Sequence, residues 1–325
     1  MTARPPAPPA EDHEAPVPAV ALAQVAKAVG SVVVGRSQAL EQLLVALLCA
    51  GHALLEDVPG VGKTLLAKSL ATTLGCTFDR IQFTPDVLPS DITGSSVFDQ
   101  RRAAFEFRPG PVFTQVLLAD EVNRATPRAQ SALLEAMEER QVTVDGETRP
   151  LPRPFLVLAT QNPVELEGTF PLPEAQLDRF LLRVSVGYPT EEEEHRILQR
   201  FEHDDPLARL GAVLGAADVL ALQAARSRVH VSDPVRAYLL CAVRATRQDE
   251  RLALGASPRA SLALHKASQA RALLAGRAHA LPDDVKALAV PVLAHRLLLA
   301  PGARLRGDTA AEVVADVLAS VPVPR

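Results

Sequence analysis

Tryptophan is absent from this 325-residue chain, tyrosine occurs twice, and aromatic residues make up 4% of it. Single-stranded nucleic acid is held on aromatic rings set in a basic groove. Neither ingredient is prominent, because 34 Lys and Arg face 38 Asp and Glu for a formal charge of −4. A nucleic-acid partner is therefore not expected. Cysteine is scarce as well: Cys49, Cys76 and Cys241 are odd in number and far apart. That excludes a disulfide framework and a cysteine-based metal site, and it makes a reducing compartment the default. The eight histidines show no metal-ligand spacing. No hydrophobic run is long enough to cross a bilayer, since the longest, Leu43 to Leu55, carries Gly51 and His52. The N-terminus is rich in proline rather than apolar and has no signal-peptide pattern. A cytoplasmic protein with no membrane span is expected.

What is present divides into three stretches. Residues 1–18 are dominated by Pro and Ala and read as a disordered tail. Residues 19–190 alternate apolar runs of strand length with helical patterns, which predicts an α/β domain. A helix starts near Val20 and is interrupted around Gly30–Gly35, and a second covers Gln38 to Ala50. Strands are expected at Leu54-Leu55, Asp79–Phe83, Val116–Ala119, Phe155–Ala159 and Leu181–Val186. Their near-continuous apolar character suits a buried parallel sheet. Val97-Phe98 and Phe105–Phe107 read as two arms of a hairpin. Beyond Thr190 the strands stop, and residues 191–325 carry helical periodicity broken near Gly211, Asp233-Pro234, Gly255, Pro282 and Pro301-Gly302, which predicts an all-α second domain.

Leu54 to Thr64 is the most informative segment. Two apolar residues, a glycine-bearing turn and a following helix aim backbone N–H groups and the positive end of a helix dipole at one point, which suits a phosphate. The pattern is that of a phosphate-binding loop, Pro59, Gly60, Val61, Gly62, Lys63, Thr64 and Leu65, with Asp57 where the first glycine usually stands. Lys63 would reach the β- and γ-phosphates, and the Thr64 hydroxyl would ligate Mg²⁺. Asp120 and Glu121 follow an apolar strand, at the edge of a parallel sheet where ligands bind. Asp120 would hold Mg²⁺ through water, and Glu121 would orient and polarise an attacking water. At the end of another strand, Asn162 would reach the γ-phosphate and that water, with Thr160 and Gln161 read as turn formers. Ser257-Pro258 is a helix-start signature, so Arg259 falls in a first turn, where a cation opposes the dipole unless an anion is near. A nucleotide phosphate would be such an anion; a surface arginine lying along its own stem is the alternative.

These strand ends occur in the order of the AAA+ ATPases. Several further segments resemble the MoxR family within them: Thr84–Gly94, Gly110–Phe113, Asp120–Ala125, Gln130–Met137, Ala159–Pro163, Leu177–Phe180 and Gly255–Ser261. The resemblance implies a five-stranded parallel P-loop sheet with flanking helices, followed by an all-α lid. It implies ATP and Mg²⁺ as cofactors and a homo-oligomeric ring, commonly hexameric. A protein client and a partner with a von Willebrand factor A domain are implied too, with a nucleic-acid motor or a chelatase-type subunit as the alternatives. Arg179 resembles the arginine finger offered to a neighbouring subunit, with Arg183 as a second candidate. Arg259 resembles the lid's sensor arginine. Val34 and Gly35 resemble the segment that cradles adenine. The hairpin around Phe98 to Phe107 resembles an insert that could touch a client.

Overall fold

The computed structural model describes residues 18–56, 60–162, 168–201 and 206–324. The tail expected over residues 1–18 thus lies, apart from Pro18, outside the described residues, as do Asp57 and Pro59. Helix α1 (Pro18–Val32) buries Ala21, Leu22, Val25, Val29 and Val32 along one stripe, the spacing of a helix with a single face in the core. It continues through Gly30, where the sequence predicts an interruption. Gly30 lies on the open side, with nothing within 4 Å of where a Cβ would stand. The glycine therefore costs only helix propensity, about 1 kcal/mol, and the buried stripe on either side outweighs it.

After α2 (Ser37–Leu48) comes β1 (Ala53–Glu56), then α3 (Lys63–Thr73) and β2 (Phe78–Gln82). The proline-rich stretch holds only a short α4 (Pro89–Thr93) and a hairpin, β3 (Gly94–Asp99) with β4 (Ala104–Pro109), where a hairpin is expected. Next come β5 (Val116–Asp120) and α5 (Pro127–Glu139). The start of α5 is set by Thr126, whose hydroxyl accepts from the Ala129 N–H, and by Pro127 in the first turn. A second hairpin, β6 (Gln141–Val144) with β7 (Glu147–Pro150), is absent from the sequence-based expectation. Its signal is Asp145-Gly146, with φ of 53° and 80°, the pair a tight two-residue turn requires. The sheet finishes with β8 (Leu156–Gln161), and after the short α6 (Glu174–Leu177) with β9 (Leu182–Val184).

The five main strands form one parallel sheet in the order β2-β5-β8-β1-β9. Strand alternation sends Leu55, Leu118 and Leu158 to one face, against α1, α2, α3 and helices of the second region. Leu54, Leu117 and Val157 point to the other, against Leu133, Leu134 and Met137 of α5. Burial on both faces is why these strands read as unbroken apolar runs.

The rest is mainly helical: α7 (Glu191–Phe201), α8 (Ala216–Ser227), α9 (Asp233–Thr246), α10 (Pro258–Leu274), α11 (Pro282–Leu293), α12 (Pro301–Arg306) and α13 (Ala310–Ser320). It is not wholly so, because β10 (Leu252–Leu254) pairs antiparallel with β11 (Leu298–Leu299). Strands this short carry no periodicity to read. The apolar cluster on the α1 face runs without a break into α8, α9, α10 and α11, so the end of the sheet at β9 is not a gap in the packing.

Candidate functional site

The carboxyl ends of β1, β5 and β8 converge, with Glu56 in register with Gln161 and Ala119 with Ala159. Just beyond β1, Gly60 and Gly62 have φ of 82° and 87°, a conformation other residues rarely adopt. A Cβ at either position would meet nothing within 4 Å among the described residues. The cradle is thus open toward whatever approaches its backbone. Gly62 is the N-cap of α3, with Lys63, Thr64 and Leu65 in the first turn. Val61 is buried beneath the loop. The eleven-residue helix directs its free N–H groups and dipole into the cradle.

Asp120 and Glu121 are held at this edge by a contact that neither residue's own surroundings in the sequence announce. The Thr160 hydroxyl donates to Asp120 Oδ1 at 2.5 Å and accepts from the Glu121 N–H at 2.8 Å. Thr160 is buried and, far from merely forming a turn, holds both acids by one atom. Asp120 Oδ2 also pairs with Arg80 Nη2 at 2.7 Å. Glu121 sits at φ 56°, ψ 47°. That left-handed conformation is strained for a glutamate and common at functional positions. Its Oε2 lies 3.0 Å from Arg124 Nη1. Gln130 of α5 fastens the turn after Glu121 by donating to the carbonyls of Val122 and Ala125. Asn162 is buried beside this turn, with its carbonyl 3.4 Å from Asn123 Nδ2. Two buried acceptors at this edge, Asn123 Oδ1 and Gln161 Oε1, have no partner among the described residues.

Val34 and Gly35 line a cavity of about 590 Å³ shared by α1, α2, α10 and Leu66 in the first turn of α3. Leu66 joins it to the phosphate loop. Its walls are largely apolar, with Arg36, Ser37, Glu41, Arg196, Arg200 and Arg271 at the polar positions, the make-up of a small-molecule site. Gly35 has φ of 72°, and a Cβ there would collide with the Glu193 carboxylate.

The arginines separate in space. Arg183, on β9, reaches Glu56 at 2.7 Å and so faces the edge that carries the phosphate loop. Arg179 lies at the opposite edge. It precedes β9, whose Leu182 is in register with the first residue of β1, and the Leu181 N–H donates to the His52 carbonyl at 2.8 Å. There Arg179 Nε meets Glu138 Oε2 at 3.2 Å, in the last turn of α5. Arg259 does occupy the first turn of α10, with Ser257 as N-cap accepting from the Ala260 N–H. The anions beside it, however, are Glu138 at 3.3 Å and Asp178 at 3.7 Å. It stands with Arg179 on Glu138, at the end of the sheet opposite the phosphate loop. Glu138 leaves no mark in the sequence; only the folding of α5 across the sheet brings it here.

His52 joins the same edge to the sheet. Its Nδ1 accepts from the Val157 N–H at 3.0 Å, which leaves Nε2–H to donate to the Met137 carbonyl at 3.1 Å. Burial pulls its pKa down to about 4.

Comparisons with known proteins give the family. A model described as the ATPase family associated with various cellular activities (AAA) matches residues 52–182, and an AAA lid domain matches residues 244–317. The chain is 48% identical to the uncharacterized protein YeaC of Bacillus subtilis, over 93% of this chain and 95% of that one. It is 46% identical to Chaperone MoxR1 of Mycobacterium tuberculosis, over 90% and 80%, and 34% identical to Protein MoxR of Paracoccus denitrificans, over 91% and 94%. A crystal structure of a candidate ATPase from Cytophaga hutchinsonii superposes with TM-score 0.89 at 39% identity, covering 95% of this chain and 96% of that one. Taken with the phosphate loop, the acid pair held by Thr160 and the helical lid, these matches show that this chain belongs to the MoxR family of AAA+ ATPases.

Proposed function

We propose that this ATPase works as a Mg²⁺-dependent homo-oligomeric ring, hexameric by resemblance, in which each site is completed by a neighbour and hydrolysis remodels a protein client. The observation that carries this reading is the separation of the arginines. Arg179 and Arg259 stand at the end of the sheet opposite their own phosphate loop, which supports a role toward a second subunit's nucleotide. A cation aimed at the charge that develops on a transferred phosphoryl group is worth about 10³–10⁵ in rate.

In this reading the backbone of Pro59 to Leu65 cradles the phosphates, the cavity beside Val34 and Gly35 takes the adenosine, and Lys63 reaches the β- and γ-phosphates. Pro59 itself lies outside the described residues. Glu121 accepts a proton from the attacking water, and Asn162, at the end of β8, orients it. Thr64 and Asp120 would hold Mg²⁺, which supplies charge against the phosphate oxygens when bound. Their oxygens suit a cation that keeps most of its shell for water and phosphate, and no cluster of three or more His, Cys, Asp or Glu able to hold a metal occurs among the described residues.

Chaperone MoxR1 lends the client part of the proposal its support, and a partner with a von Willebrand factor A domain is carried over from the family resemblance alone. No helix among the described residues is long and apolar enough to cross a membrane. The test is subunit mixing. Glu121→Gln and Arg179→Ala proteins should each be inactive alone and regain activity when mixed, because one supplies the finger and the other an intact loop. Absence of any recovery would sink the shared site. Affinity capture with ATP-loaded Glu121→Gln should retain a protein client; capture of DNA with steep salt dependence would instead favour a nucleic-acid motor.

A further inference from the structure

Arg296 is the most enclosed guanidinium among the described ion pairs, its side chain 4% exposed, and nothing in hydrolysis calls for it. It belongs to the turn that follows α11 in the lid, yet all but one of its bonds go to the segment of the ATPase region that carries Arg179. Nε donates to Asp178 Oδ1 at 2.6 Å, Nη1 to the Leu181 carbonyl at 3.0 Å, and Nη2 to the Phe180 carbonyl at 2.7 Å and more weakly to the Asp178 carbonyl at 3.4 Å. The remaining bond, from Nη1 to the Val292 carbonyl, stays inside the lid. The preceding residue, His295, puts its Nε2 3.2 Å from the same Phe180 carbonyl. Burial works against the charge on Arg296, and Asp178 offsets that.

Asp178 is the branch point. One carboxylate oxygen holds Arg296 and the other lies 3.7 Å from Arg259 Nε, while Arg259 and Arg179 share the two oxygens of Glu138. Two cations side by side repel, and this carboxylate pair is what lets them share one edge. Asp178 immediately precedes Arg179. A guanidinium that grips Asp178, Phe180 and Leu181 therefore sets the direction in which Arg179 leaves the chain.

We propose that Arg296 and Asp178 are a positioning pair: through them the lid fixes Arg179 and Arg259 as one bidentate cationic unit for the neighbouring subunit's γ-phosphate. This rests on the reading of Arg179 as the finger. The lid of each chain then governs the chemistry of its neighbour, and its own phosphate loop is reached only around the ring. A finger displaced by an ångström loses on the order of 10²-fold in rate.

The test uses the full-length protein. Asp178→Asn keeps the side-chain shape and leaves Arg296 its carbonyl acceptors, so the chain should fold. Its kcat should fall 10- to 100-fold, on the order expected for a misplaced catalytic group, with KM for ATP within about twofold because each phosphate loop is untouched. Mixed in equal amounts with Glu121→Gln subunits, it should recover activity well above the sum of the separate proteins. A purely structural lesion would not be repaired by mixing. Wild-type turnover in Asp178→Asn, or a loss that mixing leaves in place, overturns the proposal. The parallel mixture of Arg179→Ala with Glu121→Gln separates the two possible failures. If that control recovers and Asp178→Asn does not, the pair is wrong and the finger stands; if neither recovers, the finger reading itself falls. Should Asp178→Asn fold poorly, Arg296→Lys keeps the buried charge without the fork that spans four backbone carbonyls and a carboxylate. In the same mixture, recovery of that variant supports the positioning pair and a persistent loss overturns it.

Discussion

At one edge of the five-stranded sheet, phosphate-directed groups are held by backbone and by short polar side chains: two left-handed glycines, a helix N-terminus, and a threonine hydroxyl shared between Asp120 and the Glu121 N–H. At the other edge, Arg179, Arg259 and Arg296 are held by Glu138 and Asp178. The first has a local part, a loop assembled within a dozen residues, to which the end of β5 brings Asp120 and Glu121 and β8 brings Thr160. The second draws on the end of α5, the approach to β9, the start of α10 and the turn after α11, which lie more than a hundred residues apart. Helix α5 connects them. Its first turns are tied to the acid pair through Gln130, and its last turn carries Glu138, so its 13 residues span about 20 Å at 1.5 Å per residue. An edge that must bind a nucleotide has to be preformed. The edge proposed to serve a second subunit is set instead by parts of the chain far apart in sequence, packed on one another through Arg296 and the shared apolar cluster.

The sharpest way to break this contrast is to damage each edge once. Arg179→Ala should lower kcat by about 10³-fold with little change in ATP affinity, the low end of what an arginine finger supplies, whereas Lys63→Ala should weaken nucleotide binding as well. Equilibrium binding of a fluorescent nucleotide beside steady-state turnover reads both, and a similar loss of affinity in the two variants would erase the distinction. Next in size is Thr160→Val, which keeps volume and removes the hydroxyl. Asp120 and Glu121 both lose a partner, and kcat should fall about 10- to 100-fold, on the scale of one preorganised hydrogen bond. Thr160→Ser should restore most of it; if Ser behaves as Val does, packing rather than the hydroxyl is responsible. Smaller again is Arg183→Ala, expected to cost about tenfold, the scale of one charge-assisted hydrogen bond. Because Arg183 faces its own loop through Glu56, its loss should not be repaired by Glu121→Gln subunits. Repair would move Arg183 to the other edge and make it a rival to Arg179.

The two edges are unequally legible in the sequence. Gly60, Gly62, Lys63 and Thr64 can be read because chemistry and chain order coincide there. Asp120 and Glu121 can be read because an apolar strand announces its own carboxyl end. Thr160 reads as a turn former, although its hydroxyl follows a buried strand next to the one bearing Asp120; only the strand order reveals that they are neighbours. Arg179 and Arg259 stand out through family resemblance and a helix-start signature, but their counter-ions do not. Glu138 and Arg296 are spaced like ordinary charged helix and turn residues, and only the packing of α5 and the lid brings them together. Gly30 shows the converse: a helix breaker by propensity, it is overruled by the buried stripe of α1 on either side of it. The β6–β7 hairpin is announced by Asp145-Gly146, yet its arms carry no apolar run to mark them as strands.

The last effect concerns stability in acid rather than turnover, and it should fall on one edge alone. His52 and His295 are both buried on the arginine side, and burial lowers the pKa of each, His52 from 6.5 to about 4 and His295 well below its ordinary value. The folded chain therefore declines a proton at His52 until the pH nears 4, while the unfolded chain accepts one near 6.5. Between those values the unfolded state binds more protons, so stability is complete above pH 6.5 and is lost as the pH falls. At pH 5 the loss from His52 alone is about 2 kcal/mol, at 1.36 kcal/mol per unit. Protonating Nδ1 would also put a donor against the Val157 N–H and release α5 from β8 where Glu138 sits. Urea midpoints measured from pH 7 to pH 4.5 should therefore decline more steeply for the native protein than for His52→Gln, whose amide can accept from Val157 and donate to Met137 without titrating. Parallel curves for the two proteins would mean that His52 is not the group through which acid reaches this edge.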